Sequence, residues 1–304
     1  MVGNILLFIL IAGALLYLWH LLSSMTSGEV FNKYRSVSFF AIMEKEYERD
    51  FVATASKILF IALKIILLII ILGKIDIFAF SQNPHFFTGY SDSQVSYEGL
   101  FYGIFVWEIL NSLERSLIRE SKLDEMFEGL IRPLFLLLLL FSFIYYYQTP
   151  FSDYVVLRQQ ETIIYGIMNL GCVSHFFFFL LFFFYIAYDL KQLGDSIVQS
   201  KIGLLNCMMK FSGIFILQVF IVYAFLGWTS HLPFAELLAD RFPNSRSFFE
   251  VISLFVKLGC IHFLGILVGQ FLGNIKSIYV RGIEKYLQLL SAFNAVLLIG
   301  IRLW

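Results

Sequence analysis

HFFFFLLFFFYIAYDLKQLGDS, residues His175 to Ser196, decides the class of this protein. Its first half is almost wholly Phe and Leu, a surface that a bilayer tolerates and no folded soluble domain needs. Its second half turns abruptly charged, at Asp189, Lys191 and Asp195. A helix leaving a membrane and entering a polar loop reads this way.

The rest of the chain repeats the pattern. Of 304 residues, 59% are hydrophobic and only 14% charged, and the formal net charge is zero. A soluble protein of this length could not hide so much apolar surface, so the expected class is an all-α polytopic membrane protein. Zero net charge argues against nucleic acid as a partner. Eight segments can each supply the roughly 20 apolar residues that a bilayer requires. They fall near 4–24, 52–73, 97–113, 130–148, 163–188, 203–228, 248–272 and 284–302. The third is the weakest, because Glu108 and Asn111 interrupt it. The first lacks a basic n-region and a small-residue cleavage site, so it is expected to span rather than to be removed. With no internal repeat and no low-complexity linker, residues 1–304 read as one membrane domain.

Loop charge gives the orientation. The loops near 25–51, 114–129, 189–202 and 273–283, with the residues flanking them, carry 13 Lys and Arg, and the alternate loops carry 4. The first set is therefore expected in the cytoplasm, with both termini outside. The loop Ser27–Asp50 mixes charge with Phe31, Tyr34, Phe39 and Phe40, as an interfacial segment or one lying under a partner protein would. ERSLIRESKLDEMFEG, Glu114 to Gly129, is dense in both signs and reads either as a solvated loop or as a docking surface.

Ionisable groups at lipid depth are costly and tend to face a bundle interior. Lys57 and Lys210 lie near segment ends, where a long stem lets the ammonium snorkel to the interface. Lys64, Glu108 and Lys257 sit deeper, and there an internal polar site competes with snorkelling. A Lys–Glu pair between helices, such as Lys64 with Glu108, would lower the cost of both charges. Cys172, Cys207 and Cys260 show no CxxC spacing, and His20, His85, His175, His231 and His262 are scattered without metal-ligand spacing. There is no phosphate-binding glycine loop and no nucleophile elbow, so catalysis by this chain alone is not expected.

The order of these elements resembles a known family. Tyr34-Arg35 stands in the first cytoplasmic loop, and DEMFEGLIRPLFLLLLL, Asp124 to Leu140, leads through a Pro into a Leu-rich helix. Ala187-Tyr188-Asp189-Leu190 follows the Phe-rich helix, MMKFSGIFILQVF begins at Met208, and LFVKLG begins at Leu254. In this order they are similar to the membrane subunit shared by respiratory complex I (subunit 1, or H) and the formate-hydrogenlyase-type, energy-converting [NiFe] hydrogenases. There are departures. The family's Gly-Pro turn is missing, with Ser27-Gly28 nearest to it. Of the acidic run after Asp189 only Asp195 remains, and the acidic residue before the family's Pro is Arg132 here.

The resemblance implies a non-catalytic membrane-anchor subunit of an oxidoreductase in a respiratory chain. It would hold a peripheral arm of hydrogenase-large-subunit-like and ferredoxin-like subunits beside antiporter-like membrane subunits. Iron–sulfur clusters, [NiFe] or quinone would belong to or lie with those partners, and this chain would hold no cofactor. Tyr34, Arg35, Arg119 and Asp124 would dock the arm. Lys64, Glu108, Glu125, Asp189, Lys210 and Lys257 would line a proton or sodium path or form buried polar sites, with Glu108 and Glu125 as the proton-carrying carboxylates. A relative that no longer pumps, and a free-standing transporter or channel, are the alternatives. The transporter would show internal repeats and helices broken near mid-membrane.

Overall fold

The computed structural model describes residues 51–74, 97–118, 123–147, 162–164, 168–169, 174–198, 204–226 and 246–303. The described chain is helical apart from one short ladder. The helices are α1 (Phe51–Lys74), α2 (Tyr97–Ile118), α3 (Leu123–Tyr147), α4 (Phe176–Val198), α5 (Leu204–Phe225), α6 (Arg246–Gly273) and α7 (Ser277–Leu303). Four described stretches are long and apolar enough to cross a membrane: Gly129–Tyr146, Phe176–Gly194, Phe255–Gly273 and Ser277–Ile301. Shorter apolar stretches run Ile58–Ile71 and Met209–Val222. The segment expected at 4–24 lies outside the described residues.

The fifth expected segment is corrected at its start. Thr162–Ile164 (β1) pairs antiparallel with Met168–Asn169 (β2), and α4 begins only at Phe176. TIIYGIMN, Thr162 to Asn169, is apolar enough to extend a hydropathy window, but the β-branched Thr162, Ile163 and Ile164 favour a strand. At the other end α4 continues through the charged half of the opening stretch to Val198, inside the range read as a loop.

The Phe-rich stretch is the centre of the bundle and not its lipid face. Helix α4 packs on α5, α6 and α7. Phe178, Leu181, Phe182, Phe184, Tyr185, Ile186 and Ala187 are all buried. Phenylalanines four apart lie one above the other, so rings stack along the helix: Phe178 on Phe182 at 6.4 Å, and Phe179 on Phe183 at 6.2 Å. The same rings meet α5 edge-on, Phe182 with Phe220 at 6.0 Å and Phe179 with Phe225 at 5.7 Å. Each such pair adds about 0.5–1.5 kcal/mol beyond its buried area. Helix α5 is buried on every side from Phe211 to Val222, as a helix apolar all round should be.

Helices α1, α6 and α7 supply most of the exposed apolar surface among the described residues. On α7, Tyr279, Tyr286, Leu289, Phe293, Val296 and Ile301 are exposed, while Val280, Ser291, Ala295 and Leu298 face inward. On α1, Phe60, Lys64 and Ile71 form the buried stripe at helical spacing, between exposed Ile58, Leu59, Ile66 and Ile70.

Pro133 lies inside α3, ten residues along from Leu123, and not at a helix start as the segment 130–148 suggests. Proline has no N–H, so the carbonyl of Gly129, four residues back, loses its intrahelical partner. The hydroxyl of Ser112 on α2 donates to that carbonyl. The two helices can approach this closely because residue 129 is glycine: a Cβ there would stand 2.8 Å from Ser112 Oγ and 3.2 Å from Ser112 Cβ. Three residues thus form one device. Ser112→Ala should lower stability by about 1 kcal/mol, the usual scale of a polar contact between membrane helices. Pro133→Ala restores the N–H, so Ser112→Ala should cost almost nothing in that background. Melting the four proteins of this cycle in mild detergent tests it; equal losses in both backgrounds would show that the Gly129 carbonyl does not depend on Ser112.

Candidate functional site

Apart from Lys257 on α6, the buried charges among the described residues gather on helices α1 to α4, with polar groups of α7 completing the set. Arg132 on α3 reaches Asp189 on α4 through a two-pronged fork: Nη1 donates to Oδ2 at 2.6 Å and Nη2 to Oδ1 at 3.0 Å. Their side chains are only 11% and 18% exposed. This geometry matches the planar guanidinium to the planar carboxylate and fixes the rotation of α3 against α4. The guanidinium also lies 4.4 Å from the centre of the Tyr185 ring, one turn before Asp189. The Tyr185 hydroxyl accepts from Gln288 Nε2 at 3.2 Å, and the same amide donates to Glu284 at 3.3 Å, bringing in α7. Glu108 on α2 is buried and near enough for its charge to act on both Arg132 and Tyr185. Four helices therefore meet at one charged and polar cluster.

A second ion pair lies between α1 and α2. Lys64 donates to Glu114, and its ammonium is 5.9 Å from the centre of the Trp107 ring. Lys64 is only 3% exposed as a residue, so its stem does not snorkel. The expected Lys64–Glu108 partnership is thereby corrected, because the carboxylate that meets Lys64 stands six residues further along α2. The double substitution that would remove this pair cleanly is Lys64→Met with Glu114→Gln.

Lys257 does a different job. Its Nζ donates to the carbonyl of Leu226 at 2.9 Å, just beyond the last residue of α5. A helix C-terminus presents carbonyls without intrahelical partners and a partial negative charge, and a lysine from a neighbouring helix answers both. Lys257 is thus a cap between α6 and α5, at a distance along the sequence that no local rule would link. Lys210 is exposed on α5, in keeping with a snorkelling stem. Asp124 and Glu125 lie in the first turn of α3. Tyr34, Arg35 and Arg119 lie outside the described residues.

No protein-family model, no curated protein and no solved structure matches this chain. The residues themselves therefore carry the functional argument. Among the described residues no group of three or more His, Cys, Asp or Glu side chains is placed to hold a metal ion. What the cluster offers is a set of carboxylates, Glu108, Asp189 and Glu284, held about one guanidinium and one phenol inside an apolar bundle. Such a set can bind and pass protons, or bind a small cation, where an apolar wall could not.

Reading the sequence missed Arg132, Glu114, Tyr185, Glu284 and Gln288. Arg132 was counted with the loop charges, yet it lies inside the apolar run 130–148. An arginine one residue before a proline at that depth was the available signal. Tyr185, Glu284 and Gln288 carried none, because only the packing of α7 brings them to Arg132.

Proposed function

We propose that this chain is an ion-translocating helical bundle that serves as the membrane-anchor subunit of a complex-I-related redox assembly. The observation that carries the translocation reading is the meeting of Glu108, Arg132, Tyr185, Asp189, Glu284 and Gln288 from four helices in an apolar surrounding. A scaffold alone would be as stable with apolar residues of similar volume at these positions. The place in a redox assembly is supported by the ordered short matches around Tyr34-Arg35, Arg132-Pro133, Tyr188-Asp189-Leu190 and Lys257. Electron carriers would lie in the peripheral partners.

The proposal includes eight spans in the cytoplasmic membrane, with both termini on the far side. Cysteine labelling tests the orientation. Ser121→Cys should react with an impermeant maleimide only from the cytoplasmic face, and Ser245→Cys only from the opposite face. The reverse pattern would overturn it.

One observation favours a second reading, a free-standing transporter. Pro133 lies within α3 and its lost hydrogen bond is made good by a neighbouring helix, as in the interrupted helices of transporters. The two readings differ in what leaves the membrane with the chain. Extraction in mild detergent should bring hydrogenase-large-subunit-like and ferredoxin-like subunits with it; a lone chain supports the transporter. In either case Glu108→Gln keeps shape and hydrogen bonding but cannot carry a proton. Ion movement into proteoliposomes should fall while assembly and folding persist. Unchanged ion movement in Glu108→Gln would count against a carrying role for this carboxylate.

A further inference from the structure

Helix α7 carries polar residues beyond the cluster, on the face turned into the bundle. Gln288, Ser291 and Asn294 follow one another three residues apart and so line one side of the helix. Gln288 is tied to Tyr185, as described. Asn294 Nδ2 donates to the backbone carbonyl of Ser174 at 3.1 Å, at the opposite end of α4 from Asp189. The Ser174 hydroxyl in turn meets His175 Nδ1 at 2.8 Å. The His175 ring is fully buried and stacked 4.1 Å from Phe143. Between these two ends, Ser291 is completely buried, and neither its Oγ nor Asn294 Oδ1 has a hydrogen-bond partner among the described residues.

A buried hydroxyl and a buried amide oxygen need a polar partner. Here both face the interior between two hydrogen-bonded stations, and water is the partner that fits a site with several polar groups around it. We propose that Ser291 and Asn294 hold water that joins the Arg132–Asp189 cluster to Ser174 and His175, making the α4–α7 seam a proton route through the bundle. The proposal rests on the translocation reading above and names its route and its ion. Among the described residues, the stretch between Gln288 and His175 contains hydroxyl, amide and imidazole groups but no carboxylate to neutralise a metal cation. Hydroxyls, water and imidazole each donate and accept, so a proton can pass where a bare cation is not compensated. Among the described residues, the titratable and charged groups facing the route are Glu108 from α2, Arg132 and Tyr146 from α3, Tyr185, Asp189 and His175 from α4, and Glu284 from α7. Only protons move: one enters at the carboxylate end for each one released beyond His175, and no electron is transferred.

The test uses the assembly as it leaves the membrane in mild detergent, reconstituted into liposomes holding a pH-sensitive dye. A potassium potential set with valinomycin drives the flux. Wild type should acidify the interior faster than protein-free liposomes. Ser291→Ala with Asn294→Leu should slow it by roughly a hundred-fold, the size of losing a positioned proton-transfer group. Ser291→Thr, which keeps the hydroxyl, should stay near wild type. Because Ser291 makes no hydrogen bond to another residue among the described ones, Ser291→Ala removes no direct link between helices and should melt close to wild type. If Asp189→Asn slows the flux and the α7 double variant does not, the route is wrong while the translocation reading stands. If wild type is no faster than empty liposomes, the translocation reading falls and takes the route with it. Should the double variant fail to fold, Ser291→Ala against Ser291→Thr decides, and equal flux in those two overturns the route.

Discussion

Asp189→Leu will be the most damaging single change in the charged cluster. It leaves the Arg132 guanidinium without its forked partner at a point where the pair is largely shielded. Breaking one side of a buried ion pair costs about 3–5 kcal/mol, mostly because the remaining charge stays uncompensated. Arg132→Met should cost less. A carboxylate left alone can take up a proton and become neutral, whereas a guanidinium cannot lose one. Glu108, whose charge also acts on Arg132, is the remaining counter-charge from α2. Adding Glu108→Gln to Asp189→Leu should therefore cost more than the sum of the two separate changes. Arg132→Met with Asp189→Leu removes both charges and should restore most of the lost stability. Thermal melting in mild detergent reads all of these. An Asp189→Leu protein that melts with wild type, or a double variant no better than Asp189→Leu alone, would show that the pair does not set the α3–α4 geometry.

The second large effect is expected at Gly269, where α6 crosses α4. Gly265, Gly269 and Gly273 recur every four residues, the spacing that lets helix backbones approach closely in membranes. A Cβ on Gly269 would stand 2.6 Å from the carbonyl oxygen of Ala187, which is backbone and cannot rotate aside. Gly265 is less demanding, because its Cβ would meet side-chain atoms of Leu190 at 3.0 Å and Ile186 at 3.3 Å. Gly269→Ala should therefore cost about 1–3 kcal/mol, and Gly269→Leu more, since it must push α6 off α4. The controls carry the opposite sign. A Cβ on Gly282 or Gly300 would meet nothing within 4 Å. Alanine is a better helix former than glycine by about 0.8–1.0 kcal/mol, so Gly282→Ala and Gly300→Ala should be neutral or stabilising. If Gly269→Ala proves as harmless as these two, the α4–α6 crossing is not as close as described.

The polar site was only half legible. Lys64, Glu108, Asp189 and Lys257 stood out because charge inside an apolar run is rare. Their partners did not. Glu114 looked like part of a charged loop, yet the continuation of α2 to Ile118 puts it on a helix facing α1. Lys257 reads from the sequence as part of an ion path or a buried polar site, and only the packing shows that its ammonium reaches the end of α5. Which carboxylate or carbonyl a lysine meets depends on helix rotation and stagger, and those are set by contacts such as Gly269 on Ala187 rather than by the depth of the charge. The GxxxGxxxG spacing on α6 was open to reading and would have pointed to the close crossing of α6 on α4.

By itself the sequence determined that this is a chain of long apolar helices. Residues apolar over a bilayer's thickness must satisfy their backbone internally, and a helix does so within one segment. That local requirement is why the bounds of α1, α5 and α6 were close to expectation. It did not determine which apolar surfaces face lipid. Lipid tails and a packed core are equally apolar, so hydropathy reads alike for both. Only the tertiary structure decided that the Phe-rich α4 is interior and α7 turns Tyr286, Phe293 and Val296 outward. It alone placed Arg132 on Asp189 and Gln288 on Tyr185, because those meetings join residues 57 and 103 positions apart through the packing of whole helices.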